Sequence, residues 1–169
     1  QYPVIHLDMN GLDFSSVEEL ESSLCDLVTE AAVSHDLTLE SASAASMFRT
    51  LINRLAEKEQ VVILVDEYDK PILNNLGKSH AQKILDKLKV FYSIIKAFES
   101  KERFVFVTGV TKFCHVSLFS ELNNLTDITM NRDYATMFGY TQEEFETYFA
   151  DRIDSACKQL NTPREDEHP

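Results

Sequence analysis

The sequence predicts an α/β protein with a parallel sheet and helices packed on it in three layers. Three observations predict it. Val61-Val62-Ile63-Leu64-Val65 and Phe104-Val105-Phe106-Val107 are uninterrupted apolar runs. Their length and their β-branched and aromatic content suit strands buried on both faces. Stretches of helical periodicity separate these runs from each other and from a shorter strand near the start. Strands alternating with helices imply right-handed crossovers and hence parallel pairing.

The elements follow in order. Val4-Ile5-His6-Leu7-Asp8 is a short strand, entered through Pro3 and left at Asn10-Gly11. His6 alternates within it and is expected to be an interior histidine. Ser16-Val17-Glu18-Glu19 spells a capping box. Behind it Val17, Leu20, Leu24, Leu27, Val28 and Ala31 recur at helical spacing. After a polar stretch, Met47, Phe48, Leu51, Ile52 and Leu55 share one face of a second helix. The strand 61–65 follows and ends in Asp66-Glu67-Tyr68-Asp69. Pro71 suits the first turn of a short helix ending near Gly77. A long helix over 81–99 buries Ile84, Leu85, Leu88, Phe91, Ile94, Ile95 and Phe98. The strand 104–107 comes next and stops at Thr108-Gly109. Residues 127–130 read as a further short strand. Thr141-Gln142-Glu143-Glu144 caps a helix bearing Phe145, Tyr148, Phe149 and Ile153. The expected strand order is 104–107, 61–65, 4–8, with 61–65 in the middle. One domain over 1–160 is expected, followed by a disordered tail, 161–169.

Composition narrows the function. An apolar fraction of 44% suits a globular core. No apolar run approaches the roughly 18 residues of a membrane span. A net charge of -12 argues against a broad nucleic-acid surface. Cys25, Cys114 and Cys157 are odd in number and show no zinc spacing, which fits reduced thiols and a cytoplasmic location. The start at Gln1 carries no signal peptide and no initiator Met, as expected of a piece of a longer chain.

The chemistry concentrates at Asp66-Glu67. Acids at the end of a buried strand stand at the rim where open α/β sheets bind ligands. One can hold a metal on phosphates while its neighbour orients or deprotonates a water. The competing reading is a solvated acidic turn. A phosphate loop, G-x-x-x-x-G-K-S/T, fits none of Gly11, Gly77, Gly109 and Gly139. Gly77-Lys78-Ser79 has the right ending but lacks the first glycine, and it reads better as a helix end. Asp8 could reach the rim. Asp69 and Lys70 read as turn and capping residues, with a direct catalytic role as the alternative. Tyr68 reads as a cover on the core, Phe91, Tyr92 and Phe98 as packing, and Cys114-His115 as part of a packed loop.

Segment 61–71, VVILVDEYDKP, resembles the second acidic motif of the AAA-ATPase-like proteins. Segment 104–124, FVFVTGVTKFCHVSLFSELNN, resembles the strand and loop that follow it there. Segment 134–149, YATMFGYTQEEFETYF, resembles the next helix, and Val4-Ile5-His6-Leu7-Asp8-Met9-Asn10 the strand after the phosphate loop. The resemblance implies a partial P-loop NTPase core of the additional-strand type. It implies ATP and Mg2+ as cofactors, Asp66 assisting the metal, Glu67 activating water, and Thr108, with Lys112 second, as the polar sensor. Family members commonly continue into a PD-(D/E)XK nuclease-like domain; Glu99-Ser100-Lys101 has its spelling but ends a helix.

The family's phosphate loop is expected just before Gln1, so this segment alone is not expected to hold ATP. The edge along 104–107 is then expected to be open, leading to self-association or to pairing with 127–130. The leading expectation is therefore a fragment of an ATP-hydrolysing domain. The alternatives are a non-enzymatic protein-interaction module and a nuclease using Asp66, Glu67 and Asp69. The last lacks a lysine partner and a basic channel.

Overall fold

The computed structural model describes residues 1–110 and 124–160. Its contacts divide the chain into two compact units, Gln1–Leu125 and Thr126–Pro169.

The first unit contains three parallel strands: β1 (Val4–Asp8), β2 (Val61–Asp66) and β3 (Glu102–Val107). Their order is β1-β2-β3, with β2 central as the sequence predicts. The register pairs Ile5 with Ile63 and Leu7 with Val65, then Ile63 with Val105 and Val65 with Val107. These side chains share one face. Helices α1 (Val17–Val33), α2 (Ala44–Leu55) and α4 (Ala81–Ala97) join the core with them. The short helix α3 (Lys70–Leu73) lies between β2 and α4.

α1 starts at the cap that the sequence predicts. Ser16 Oγ accepts the Glu19 N–H at 3.0 Å, so half of the capping box forms. Ser43 caps α2 in the same way. On α1 the buried positions are Leu20, Ser23, Leu24, Leu27, Val28, Ala31 and Ala32, one continuous stripe. Phe48 of α2 stacks on Phe91 of α4 with centroids 5.0 Å apart. After α3 the chain turns through Gly77 at φ +78, a conformation glycine adopts without a Cβ clash.

Two expectations about the sheet need correction. β2 alternates between fully and partly buried residues instead of being sealed on both faces. His6 is exposed, not interior. β1 is an edge strand, and its alternate residues turn to the face that α1, α2 and α4 leave uncovered. That face carries Val4, Val62, Leu64, Phe104 and Phe106, and Phe104 is 54% exposed. Among the described residues, α1, α2 and α4 all pack on the face that carries Ile5, Leu7, Ile63 and Val65.

β3 begins two residues earlier than predicted, at Glu102. The register steps from Val61–Glu102 to Val62–Phe104, a bulge that skips Arg103. Glu102 Oε1 is buried and accepts no hydrogen bond. Burial, with Glu99 adding to it, pushes its carboxyl up to about 7 from an ordinary 4.5. A raised folded-state pKa contributes stability that is fully present below the unfolded value and lost as pH rises through the folded one. The full shift corresponds to about 3 kcal/mol, and partial exposure to solvent reduces it to about 1 kcal/mol. We expect urea denaturation to show Glu102→Gln gaining stability over the parent at a pH of about 8 and matching it at about 4. An equal gap at both pH values would mean that Glu102 does not titrate in this range.

In the second unit, residues 127–130 form a turn, not the expected strand. Asp127 Oδ1 accepts the Thr129 N–H at 2.9 Å, and Asn131 N donates to Ile128 O at 3.0 Å. The aspartate competes for the backbone groups a strand would need. A 3-10 turn (Arg132–Tyr134) leads to α5 (Gln142–Tyr148) and α6 (Ala150–Leu160). Thr141 and Glu144 complete a reciprocal capping box. The single helix expected here is broken at Phe149, whose N–H closes α5 on Phe145 O while its own carbonyl accepts from Ile153. Tyr140 and Phe145 both pack on the Phe149 ring. The tail 161–169 lies outside the described residues.

Among the described residues, no strand pairs with the outer flank of β3. No helix there is long and apolar enough to cross a membrane. Cys25 and Cys157 are free thiols.

Candidate functional site at the carboxyl rim of the sheet

Parallel strands carry their carboxyl ends on one edge, so the residues that finish β1, β2 and β3 meet there. Asp8 and Asp66 occupy neighbouring positions of one rung. Met9 N donates to Asp66 O at 3.1 Å, and Thr108 N donates to Val65 O at 2.8 Å, which carries the ladder to the rim. Thr108 Oγ1 then donates to Asp66 Oδ1. The Glu67 N–H donates to the same oxygen at 3.0 Å.

Glu67 sits at φ +50, where a non-glycine residue is held at a cost. This conformation turns the chain sharply after β2 and brings the Glu67 carboxylate over β1. Its Oε1 accepts from Asn10 Nδ2 at 3.1 Å, and its Oε2 faces Lys70 Nζ at 2.7 Å. Lys70 Nζ also donates to Asn10 Oδ1, closing a three-membered polar cluster. Both Glu67 oxygens are therefore engaged. Each oxygen keeps a second lone pair with which Glu67 can accept from water. Asn10 itself is held by its N–H on Asp8 Oδ1 at 2.8 Å.

The donor set suits a hard divalent cation of the magnesium type. Such an ion takes one or two carboxylates and leaves its other positions to water and phosphate. Asp8 and Asp66 each use only Oδ1 in the contacts above, which leaves Oδ2 of both available. Among the described residues, no group of three or more His, Cys, Asp or Glu side chains is placed to cage a metal. Phosphate and water would have to complete the shell.

Asp66, Glu67 and Thr108 are thus brought together as the sequence predicts, with Asp8 beside them. Lys112 and Cys114-His115 lie outside the described residues. Tyr68 is buried and covers the core. Lys78 Nζ donates to Asn75 Oδ1 at 3.1 Å, a contact within the turn and not a phosphate cradle. Asn10 is the residue that sequence reasoning missed. It reads as a turn residue before Gly11, and only the β1–β2 register puts it beside Glu67.

The fold is an α/β one with a parallel sheet, and the paired acids and the hydroxyl stand at the edge where open sheets of this kind place their ligands. Residues 1–119 match the AAA-ATPase-like family model, described as "Predicted AAA-ATPase". The chain belongs to this family. It is similar to a protein of Azotobacter chroococcum mcd 1 described as "Uncharacterized protein in vnfD 5'region", with 36% identity over 156 residues. That alignment covers 90% of this chain and 30% of the relative's length. No solved structure matches.

Proposed function

We propose that this chain forms the acidic and sensor half of an ATP-hydrolysing P-loop NTPase core. The observation that carries the reading is the bond from Thr108 Oγ1 to Asp66, beside Glu67 at the rim of three parallel strands. Membership of a predicted AAA-ATPase family supports nucleotide and Mg2+ as the ligands.

Asp66, with Asp8 next to it, would hold the cation through a free carboxylate oxygen. The bound cation would neutralise charge on the phosphates. Glu67, held by Asn10 and Lys70, orients a water and accepts its proton. Thr108 ties Asp66 to β3 and presents a hydroxyl where the terminal phosphate would lie. Lys112, four residues on, remains a second sensor candidate from the sequence. None of the four glycines of the chain stands in a phosphate loop. The reaction therefore needs phosphate-holding groups from elsewhere in the full-length protein.

The test compares two lengths of protein. The 169-residue chain and its Glu67→Gln variant should hydrolyse ATP at the same negligible rate, because acids activate water only when the phosphates are already positioned. In the full-length protein the substitution should lower kcat about 100-fold, the scale of a lost general base. Equal, measurable rates in the full-length protein would remove Glu67 from the mechanism, and no hydrolysis by the full-length parent would favour a protein-interaction module.

A further inference from the structure

Asp69 is fully buried, although it stands in an acidic stretch beside Asp66 and Glu67. Its position predicts that it caps α3. Its side chain makes no capping bond; only its backbone carbonyl serves the helix, accepting from Ile72 N at 3.0 Å and Leu73 N at 2.9 Å. The carboxylate instead reaches across to the chain leaving β3. Oδ1 and Oδ2 both accept the Val110 N–H, at 3.2 and 3.1 Å. Burying a carboxylate is costly, so a side chain kept there needs bonds that repay the loss of water.

What Asp69 grips is the loop carrying Thr108. The Thr108 peptide is held on both sides by the acidic motif's own strand and turn: its N–H donates to Val65 O, and its carbonyl accepts the Tyr68 N–H at 3.0 Å. Two residues on, Val110 is fastened by Asp69. Gly109 between them lies so close to Tyr68 and Asp69 that no Cβ fits. Residues 66 to 69 thus bind residues 108 to 110 as one unit.

We propose that Asp69 is a positioning residue, which holds the segment 108–110 so that the Thr108 hydroxyl stays on Asp66 beside Glu67. This rests on the ATPase reading above. It differs from a helix-capping role and from a direct catalytic one, since Asp69 is buried and its carboxylate accepts the Val110 N–H.

The test uses the full-length protein. Asp69→Asn keeps the shape and one acceptor but loses the charge. It should lower kcat by roughly ten- to a hundredfold, the scale of a small misplacement of reacting groups, and leave KM within about twofold. In a Thr108→Val background it should cost nothing further, because the two act through one contact. An equal kcat loss in both backgrounds, or no loss in either, overturns the proposal. Should Asp69→Asn not fold, Asp69→Glu displaces the charge by one methylene, and the same pattern of kcat loss is expected; wild-type kcat in that variant also overturns it. Hydrolysis by the parent separates the two readings. If the full-length parent hydrolyses no ATP, the ATPase reading fails, and amide exchange at Val110 then decides on Asp69. Faster exchange in Asp69→Asn supports the hold, and unchanged exchange overturns it.

Discussion

Gly109→Ala should destabilise the first unit by about 3 kcal/mol, the upper range for forcing an atom into a packed interior. A Cβ at this position would lie 2.5 Å from Tyr68 Cδ1 and 2.7 Å from Asp69 Oδ1. Neither neighbour can withdraw. The Tyr68 ring is 5% exposed and packs into the core, and Asp69 is held on Val110. The strain therefore falls on the backbone that carries Thr108. Thermal unfolding followed by circular dichroism should show Tm falling by roughly 10 °C. Gly77, in the same unit, is a suitable control: it has open space around the missing Cβ, and its positive φ makes alanine costly only through the backbone. Its substitution should cost about 1 kcal/mol. Equal effects at the two glycines would mean that the Gly109 contact gives way without cost.

Asn75→Ala should cost a similar amount, about 3 kcal/mol, through orphaned hydrogen-bonding groups. Asn75 is fully buried and uses its amide at both ends. Nδ2 donates to Phe14 O and to Pro71 O, each at 2.8 Å. Oδ1 accepts from His80 Nε2 at 2.8 Å and from Lys78 Nζ at 3.1 Å. This one side chain ties the loop after β1 to the loop before α4. Alanine leaves two buried carbonyls without donors. Asn75→Asp separates the terms, since it keeps the acceptor for Lys78 and His80 and loses both donors. Urea denaturation should find it destabilised as well. An aspartate variant as stable as the parent would show that the bonds to Phe14 and Pro71 contribute little.

The sheet was legible in the sequence because its signals are local. The runs 61–65 and 104–107 are apolar and β-prone enough to read as strands, although 104–107 is not buried, and the long helices carry apolar stripes of their own. Their alternation requires parallel pairing, and the most apolar run takes the central place. The same logic brought Asp66, Glu67 and Thr108 to one edge. The failures are equally physical. Residues 127–130 have β-prone side chains, yet Asp127 takes the backbone N–H that a ladder would use. His6 alternates with apolar residues, but alternation does not say which face of an edge strand is covered. The break at Phe149 is set by aromatic packing among Tyr140, Phe145 and Phe149, which helical periodicity cannot register.

By itself, the sequence determined the strands, their parallel order, the capped helices and the acids at the strand ends, because hydrophobic period and capping chemistry act over a few residues. Only the tertiary structure decided what those acids touch. Asn10 and Lys70 meet on Glu67 because β1 and β2 end on the same rung and Glu67 turns the chain at positive φ. Asp69 points inward to Val110, away from its own helix, because β3 returns beside β2 and brings an N–H within reach. Apart from the local Lys70–Glu67 pair, those contacts join residues 41 to 60 positions apart, and distances of that kind are set by the packing of the whole unit, not by any segment of the chain.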